Sequence, residues 1–397
     1  MKIVHIEDFF HPSAGYQVNV LAKYMSKNGH DVFIITSEME KIPDGLKHFF
    51  GDQNIVELDK EYEKKYSVRI IRVPLLTYKS GRSIYKCRKI WSLLEEINPD
   101  LIYVHGNDTY IAIRVFLRNN RLKGTIISDS HMVDIASTNR FRDAFRLIYR
   151  NTITPIIIRK KIKVIRLSED GYIWNHFRIP LRQAPVVSFG TDTLLFKQNK
   201  DSKEKYREDH NLPKNAFVVL YAGKINKEKG GELLANLTCA DFSDCRPIVF
   251  IIIGNTVGEY GEKVEELFNS SKNTIIRYST QPYEELASLY QVADVAVIPA
   301  QCSLSIFDFA ACGLPIIAED NEINQERIES LEEGTCFKSG NIEELSKAIK
   351  KYAKMEKKEL EKKQKNIASK ANAKFGYEIQ YKKYMEIIES AMKDHNK

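Results

Sequence analysis

Short apolar runs rich in β-branched residues recur along the whole chain, and segments of helical or loop character separate them. Runs of this kind are typical of strands that are buried on both faces of a parallel sheet. Strands that alternate with helices predict such a sheet with helices on both of its faces. The runs form two series, Lys2–Ile6, Val32–Thr36, Val68–Val73, Leu101–Val104, Thr125–Ser128, Val164–Leu167 and Pro185–Val187, then Phe217–Tyr221, Pro247–Ile253, Thr274–Tyr278, Val295–Ile298 and Pro315–Ala318.

The two series predict an α/β protein with two doubly wound domains. The length of 397 residues agrees with this, because single hydrophobic cores rarely grow beyond about 250–300 residues. We place the domain boundary near Ser188–Lys200, before the charged run Asp201–Asp209. The predicted organisation is therefore residues 1–187, residues 188–375 and a last helix at residues 376–397.

The C-terminal tail combines a charged stretch with a regular apolar pattern. Residues Lys350–Lys374 are mostly lysine and glutamate, which is typical of a solvent-exposed helix face. Apolar residues then recur near helical spacing, so the last helix is predicted to pack against protein. They are Tyr377, Tyr381, Tyr384, Ile387 and Ile388.

The stretch from residue 295 to residue 318 constrains function more than any other. Its pattern predicts the strand Val295–Ile298, a loop, and then a helix that Ser303 or Ser305 caps. Gly313 ends this helix, and Pro315 prevents its continuation. The first backbone N–H groups of such a helix lack intrahelical partners and attract anions. One turn into the helix, Asp308 is placed to accept hydrogen bonds from a ribose.

The first predicted turn, Phe10–Gln17, joins strand one to the amphipathic helix Gln17–Asn28. Gly15 would allow a ligand to approach the backbone closely at the start of that helix. An ordinary β–α turn is the alternative. The turn lacks the Gly-x-Gly-x-x-Gly pattern, so it does not indicate a nicotinamide cofactor.

The equivalent turn of the second series, Tyr221–Gly230, carries two cations. Lys224 and Lys229 lie five residues apart on a turn that begins with a glycine. Cations at this position can neutralise a diphosphate, above all one that gains charge as it leaves. Surface lysines on a loop are the alternative.

Two histidines stand at predicted strand ends, where ligands gather in open α/β sheets. His105 ends the run that begins at Leu101, and His131 follows the run that begins at Thr125. A single histidine is more often structural than catalytic, so both interpretations remain open for each.

The segment Asn139–Arg166 contains nine arginines or lysines and one acid, Asp143, interleaved with aromatic and aliphatic residues. This mixture indicates docking on an anionic membrane surface. The alternative is a solvated helix followed by a buried apolar segment. Nucleic-acid binding is not predicted, because the chain has no recognised module and its basic residues are confined to one region.

Composition adds only broad limits. The net charge of +7 and the pI of 8.8 favour anionic partners. The six scattered cysteines form no Cys-x-x-Cys pair, which fits reduced thiols and gives no metal signature. The chain opens with a predicted strand rather than a signal peptide, and no apolar run approaches the ~18 residues of a membrane span. We therefore expect a cytoplasmic protein, either free or peripheral on the inner face of the membrane.

Several of these stretches, in this order, resemble the retaining glycosyltransferases of the GT-B fold, in particular the nucleotide-sugar-dependent family 4, or group 1. One matching stretch is Asp308–Pro315, which resembles the family pattern Glu-Ala-x-Ala-x-Gly-x-Pro, and several matches in order are far more specific than any single one. The resemblance covers nearly the whole chain. The other matching stretches are Ala14-Gly15, Gly29–Val32, Pro99–His105, Phe189–Phe196 and Gly223–Gly230.

The resemblance implies two Rossmann-like domains that face a cleft, with the last helix crossing back to the first domain. It implies that Lys224 and Lys229 grip the donor diphosphate and that His131 contacts the sugar near its reacting carbon. It also implies transfer with retention of configuration and without a metal or other cofactor. The further implied substrate contacts are Gly15, Gly223, Gln301, the ribose-binding Asp308, and the backbone amides of Ser303, Leu304, Ser305 and Ile306.

The chain departs from the family at three positions. The family has two glutamates with seven residues between them, but Ala300 stands at the first, with Gln301 as the nearest polar residue, and Asp308 at the second. Lys224 replaces an arginine, which keeps the charge but loses bidentate geometry. Ala14 replaces the first glycine of the opening pair.

We therefore expect a glycosyltransferase that moves a sugar from a nucleotide-sugar, a UDP-sugar in the first instance, to a glycan or lipid-linked acceptor in cell-surface polysaccharide assembly. A GT-B protein that has lost transfer and serves as a nucleotide-binding or regulatory subunit is the main alternative, and the missing glutamate motivates it. An epimerase of the same fold is a second. A Rossmann dehydrogenase is disfavoured, because neither turn has the required glycines.

Overall fold

The computed structural model describes residues 1–44, 54–79, 81–131, 141–169 and 171–395. They form two compact units, Met1–Phe189 together with Glu378–Lys397, and Gly190–Tyr377. Asn139 and Arg140 of the basic segment lie outside the described residues.

The first unit is built on a six-stranded parallel sheet with the order β3-β2-β1-β6-β7-β8. A separate antiparallel pair, β4 and β5, was not predicted. The predicted strand Pro185–Val187 is wrong, because only Val186 forms an isolated bridge, to Arg166. The strands are β1 (Lys2–Ile6), β2 (Asp31–Ser37), β3 (Val68–Val73), β4 (Leu75–Lys79), β5 (Arg82–Tyr85), β6 (Leu101–Val104), β7 (Thr125–Ser130) and β8 (Lys163–Arg166).

Helices connect the parallel strands of this sheet, and they bury apolar residues at helical spacing. In the helix over residues 87–97, for example, Ile90, Trp91, Leu94 and Ile97 share the face that joins the core. The helices are α1 (Gln17–Lys27), α2 (Ile55–Tyr66), α3 (Cys87–Ile97), α4 (Tyr110–Arg118) and α5 (Arg142–Arg159). Short non-α turns lie at Asn119–Arg121, Ile173–Phe177 and Leu181–Gln183.

The second unit repeats the plan, with the parallel order β11-β10-β9-β12-β13-β14. Its strands are β9 (Phe217–Ala222), β10 (Ile248–Ile253), β11 (Thr274–Tyr278), β12 (Val295–Ile298), β13 (Ile316–Glu319) and β14 (Thr335–Phe337). Its helices are α6 (Lys200–Asp209), α7 (Gly231–Thr238), α8 (Gly258–Asn269), α9 (Tyr283–Tyr290), α10 (Ser305–Ala311), α11 (Glu322–Leu331), α12 (Ile342–Ala353) and α13 (Lys357–Phe375).

The last helix, α14 (Tyr377–His395), packs on the first unit, as predicted. Tyr384, which is fully buried, accepts a hydrogen bond from the buried Gln17 side chain. The hydroxyl of Tyr381 lies 3.1 Å from the Nε2 atom of His30. Within the part of the chain that the structure describes, no helix is both long and apolar enough to span a membrane.

Both sheets reverse their strand order at an internal pair, β1 beside β6 and β9 beside β12. In open α/β sheets, ligands bind beyond the carboxyl ends of the strands at such a reversal. The fold therefore directs attention to the loops that leave these four strands.

Candidate functional site

In the second unit, the loops that leave β9 and β12 touch each other. Gly230 has a φ of +71°, and a β-carbon built on it would lie 3.1 Å from those of Pro299 and Ala300. Glycine is thus required both for the left-handed backbone and for the close approach. Gly223 begins the same loop, and its carbonyl oxygen packs so tightly on Gly254 that no β-carbon would fit there.

Lys229 crosses between the two loops, because its Nζ atom donates to the Cys302 carbonyl at 2.6 Å. Burial lowers the pKa of Lys229, and the nearby cations of Lys224 and Arg327 lower it further. Cys302 and Glu319 act in the opposite direction and raise it. Lys224 itself is exposed on the β9 loop. The structure therefore brings together the two lysines and the loop that the sequence predicted.

The loop after β12 is held in an unusual conformation. Gln301 has a φ of +57°, which is uncommon for any residue except glycine. Its backbone N–H donates to the Glu319 carboxylate at 2.6 Å, and its carbonyl accepts from Asn324 at 2.7 Å and from Asn321 at 3.0 Å. Sequence reasoning missed these three side chains, which fix the loop from the end of β13 and the start of α11.

The helix after this loop differs from the prediction at its start. Leu304 occupies the N-cap position of α10, so neither Ser303 nor Ser305 caps it. Ser303 instead accepts from the backbone N–H of Ser305 at 3.3 Å, and the Ile306 N–H reaches the Ser303 carbonyl at 3.5 Å. These long bonds engage some of the amides assigned to a ligand, and their role in binding stays a prediction.

Asp308 lies one turn into α10 and is buried, with 5% of its surface exposed. Its Oδ1 atom accepts from the Thr191 hydroxyl at 2.7 Å and from the Tyr283 hydroxyl at 3.2 Å. Burial raises the pKa of Asp308 to about 7. The ribose contact stays a prediction, and neither hydroxyl partner could be predicted from its distant position in the sequence.

In the first unit, His131 belongs to a hydrogen-bonded chain of four side chains. The Nε2 atom of His131 lies 3.0 Å from Asp129, and the Nδ1 atom of His105 lies 2.8 Å from the same carboxylate. His105 continues to His5 at 2.9 Å. Asp129, His105 and His5 are buried, whereas 40% of the His131 side chain is exposed. His131 is therefore the accessible end of a buried relay.

The charges of this relay reinforce each other. Burial alone would raise the pKa of Asp129, but the imidazoles of His131 and His105 hold that pKa well below its usual range. Burial likewise opposes protonation of His131, but the Asp129 carboxylate raises its pKa to about 9. His131 is thus a cation at neutral pH. The sequence carries a signal for the contact of Asp129 with His131, because residues two apart along an extended strand share a face.

Further acids flank His131 at the end of β1. Burial and the neighbouring Glu7 raise the pKa of Asp8 to about 7, and burial raises the pKa of Glu7. Arg82 bonds to Asp108 at 2.7 Å. Gly15 lies two residues before α1, at the end of the turn that follows β1. This end of the first sheet therefore concentrates titratable groups.

Among the described residues, His105, Asp129 and His131 also form a group whose possible metal-ligating atoms lie within 4.8 Å of one another. The ligating oxygens of Asp129 already accept hydrogen bonds from both imidazoles. These contacts describe an ion-paired cluster. The expectation that no metal takes part stays a prediction.

Part of the second unit matches a known protein family. Residues 202–372 match the model of the glycosyl transferases group 1 family. A D-inositol 3-phosphate glycosyltransferase of Catenulispora acidiphila is 28% identical over 145 residues, which are 34% of this chain and 34% of that protein. The chain thus spans about a third of the length of the curated relatives it matches.

Solved structures match over nearly the whole chain. A glycosyltransferase from Rickettsia africae superposes with a TM-score of 0.76 at 17% identity, covering 99% of this chain and 98% of the other. Anabaena Alr3699/HepE in complex with UDP-glucose superposes with a TM-score of 0.71 at 16% identity, covering 98% and 100%. Residues 202–372, most of the second unit, therefore match the glycosyl transferases group 1 family, and the whole chain shares the fold of these solved glycosyltransferases.

Proposed function

We propose that this protein is a retaining glycosyltransferase. It transfers a sugar from a nucleotide-sugar, a UDP-sugar in the first instance, to a glycan or lipid-linked acceptor in cell-surface polysaccharide assembly. The family of its second unit and the UDP-glucose bound by the Anabaena protein support the donor class.

The contact of Lys229 with the loop after β12 carries the proposal. It places an ammonium group, 2.6 Å from the Cys302 carbonyl, at the strand-order reversal of the second sheet. Lys224 adds a second positive charge close by. Neutral carbonyls hold such a cation in place without cancelling its charge, so a diphosphate can take it as a counter-ion.

This arrangement suits a reaction in which a diphosphate leaves. Breaking the bond between the anomeric carbon and the phosphate oxygen increases the negative charge on the nucleotide, and nearby fixed cations stabilise that charge. The acceptor hydroxyl attacks the same face of the sugar, and its proton passes to the departing phosphate. The protein itself then supplies no base.

The state of His131 fits that scheme. With a pKa of about 9 it already carries its proton at neutral pH, so it cannot accept one from an acceptor hydroxyl. A cationic imidazole can instead donate a hydrogen bond to a sugar oxygen, which is the contact that the resemblance assigns to it. The buried Asp129 holds the ring in position for this.

The alternative proposal is a nucleotide-binding or regulatory subunit without transfer activity. The observation that favours it is Ala300, a methyl group at the position where the family carries its first glutamate. The neighbouring Gln301 is held through its backbone by Glu319 and Asn324. Such a subunit would bind the nucleotide-sugar but release no nucleotide when an acceptor is added.

A peripheral contact with an anionic membrane, on the cytoplasmic side, also belongs to the proposal. On α5 the apolar residues Leu147 and Ile148 are 59% and 63% exposed, and Phe141 just before it is 73% exposed. Arg142 and Arg159 are exposed on the same helix. Exposed apolar side chains beside cations favour anionic lipid over a purely solvated face.

Vesicle co-sedimentation tests the membrane contact. Wild type should bind vesicles that contain anionic lipid more strongly than neutral vesicles, and Leu147→Ser/Ile148→Ser should weaken this binding. Leu194→Ser, which alters a residue 67% exposed in the second unit, is the control. Equal binding by all three proteins would refute this contact.

A nucleotide-binding screen tests the donor site. Thermal shifts with UDP, GDP, ADP and their sugars should show stabilisation by one nucleotide family, which Lys229→Ala abolishes. Lys227→Ala, an exposed lysine on the same turn, is the matched control and should bind as wild type does. Absence of binding to every nucleotide would refute both the transferase and the regulatory subunit.

A further inference from the structure

A third cation reaches the loop after β12 from a different element. Arg327, on α11, donates from its Nη1 atom to the Ser303 carbonyl at 3.0 Å. Lys229 donates to the preceding carbonyl, that of Cys302, at 2.6 Å. A guanidinium and an ammonium group are therefore fixed on two consecutive carbonyls of one short loop.

The Arg327 side chain is held in place by more than this bond. Its guanidinium lies over the ring of Phe307, 5.3 Å from the ring centroid. Phe307 is buried in α10, the helix that follows the loop. Stacking on a buried ring restricts the plane of the guanidinium, so the group is ordered before any ligand arrives.

The cluster holds like charges close together. Arg327 and Lys224 both act electrostatically on Lys229, and Glu319 is the carboxylate that opposes them. Both oxygens of Glu319 also accept hydrogen bonds, from the Gln301 N–H at 2.6 Å and from the Ser339 hydroxyl at 2.5 Å. Mutual repulsion of the three cations costs free energy, and a bound polyanion would relieve it.

We propose that Arg327 is a further substrate-binding residue, which grips the donor diphosphate together with Lys224 and Lys229. This inference rests on the proposed function. Lys224 stands where the resembling family has an arginine, and a lysine cannot make the bidentate contact that a guanidinium makes with phosphate oxygens. Arg327 supplies that planar group from α11 instead.

Calorimetric titration with UDP and UMP tests this role. Arg327→Gln should weaken UDP binding about 10- to 100-fold, the range expected for loss of a hydrogen bond between charged groups. UMP, with one phosphate fewer, should lose less. Arg327→Lys keeps the charge but loses the bidentate geometry, so its affinity for UDP should lie between those of Arg327→Gln and wild type.

Arg246→Gln is the matched control. The Arg246 guanidinium also lies over a phenylalanine, Phe217, at 4.9 Å, and donates to the Tyr352 carbonyl at 3.5 Å. Arg246 lies just before β10, at the end of the second sheet opposite the loops beyond the carboxyl ends of the strands. We expect this variant to bind UDP as wild type does, with circular dichroism melts showing that each protein is folded.

The outcomes separate this inference from the function on which it rests. If wild type binds UDP and Arg327→Gln binds it equally well, Arg327 has no role in binding and the proposed function stands. Equal losses for UDP and UMP, or an equal loss in Arg246→Gln, would show a structural role and overturn the inference. If wild type binds neither UDP, GDP nor ADP, the inference and the proposed function fail together.

Discussion

Replacing Asp129 with asparagine removes the carboxylate that His131 and His105 share, with almost no change in shape. The carboxylate raises the pKa of His131 to about 9, against the opposing effect of burial. Without it, burial is the largest effect left, opposed by the smaller attraction of Glu7 and Asp108, so the pKa of His131 should fall to about its ordinary value of 6.5 or below. His131 would then be largely neutral at pH 8.

The same substitution should change how stability depends on pH. His131 has a raised pKa in the folded state, so its contribution is fully present below about pH 6.5 and is lost as pH rises through about 9. Each unit by which the pKa is raised is worth ~1.36 kcal/mol, so the rise from about 6.5 to about 9 stabilises the folded state by at most ~3.4 kcal/mol. Because 40% of the side chain is exposed, solvent screening reduces it to about 1–2 kcal/mol.

Asp129 adds a contribution of the opposite pH dependence. Its pKa is lowered in the folded state, so its stabilisation is present above about pH 4 and is lost as pH falls further. The ion-paired cluster should therefore stabilise the wild type most between about pH 4 and pH 6.5. The Asp129→Asn variant should lack this maximum.

Two measurements check these expectations. The ring protons of His131, followed by NMR, should titrate near pH 9 in wild type and below about pH 6.5 in Asp129→Asn. Denaturant unfolding at pH 6 and pH 10 should show a stability loss of about 1–2 kcal/mol in wild type that is absent in the variant. Asp31→Asn, which alters the exposed surface pair with Arg69, is the control. Titration of wild-type His131 near pH 6.5 would show that Asp129 does not raise its pKa.

Four further substitutions test other parts of the second unit. Asp308→Asn keeps both acceptor bonds but removes a carboxyl whose pKa is raised to about 7; it should raise the melting temperature at pH 8 more than at pH 4, and weakened nucleotide binding in the same variant would support the ribose contact. Asn324→Ala removes two hydrogen bonds, to the carbonyls of Gln301 and Glu319, and leaves the Asn321 bond to Gln301 in place; it should cost about 1–3 kcal/mol of unfolding free energy, with a raised KM for the donor. An unchanged KM would show that the loop does not need this anchor. Gly254→Ala places a β-carbon 1.9 Å from the Gly223 oxygen and should prevent stable folding, whereas Gly258→Ala meets no neighbour within 4 Å and should cost only about 1 kcal/mol of backbone strain; equal melting temperatures would contradict this packing.

The alternation of apolar runs and helical segments predicted every strand of the two parallel sheets except the partly exposed β14, because strands buried on both faces leave a strong local pattern. It failed for short strands of mixed burial, where the apolar pattern is weak. Leu75–Lys79 and Arg82–Tyr85 pair only with each other, and their burial is mixed. Pro185–Val187 has a strand-like composition, yet only Val186 finds a bridge partner.

The candidate site shows the same division. Lys224, Lys229 and His131 could be predicted, because each follows a strand end and ligands gather beyond such ends. Asp129, two residues before His131, left a signal in the sequence, but the other partners that define the chemistry of these residues did not. Arg327 lies 24 residues after Ser303, with which it bonds, and Thr191 lies 117 residues before Asp308. Only the folded chain brings such residues together.

In the proposed reaction a sugar is transferred and a nucleoside diphosphate departs at the Lys229 cluster. To test this directly, the protein is incubated with a membrane-lipid extract and with the nucleotide-sugar that binds in the thermal-shift screen. NMR then follows the release of the nucleotide and the anomeric configuration of the product. We predict release that depends on the acceptor, a product with the donor's configuration, and loss of both signals in Lys229→Ala but not in Lys227→Ala. Tight binding of the donor without release under any acceptor would contradict the transferase and establish the regulatory alternative.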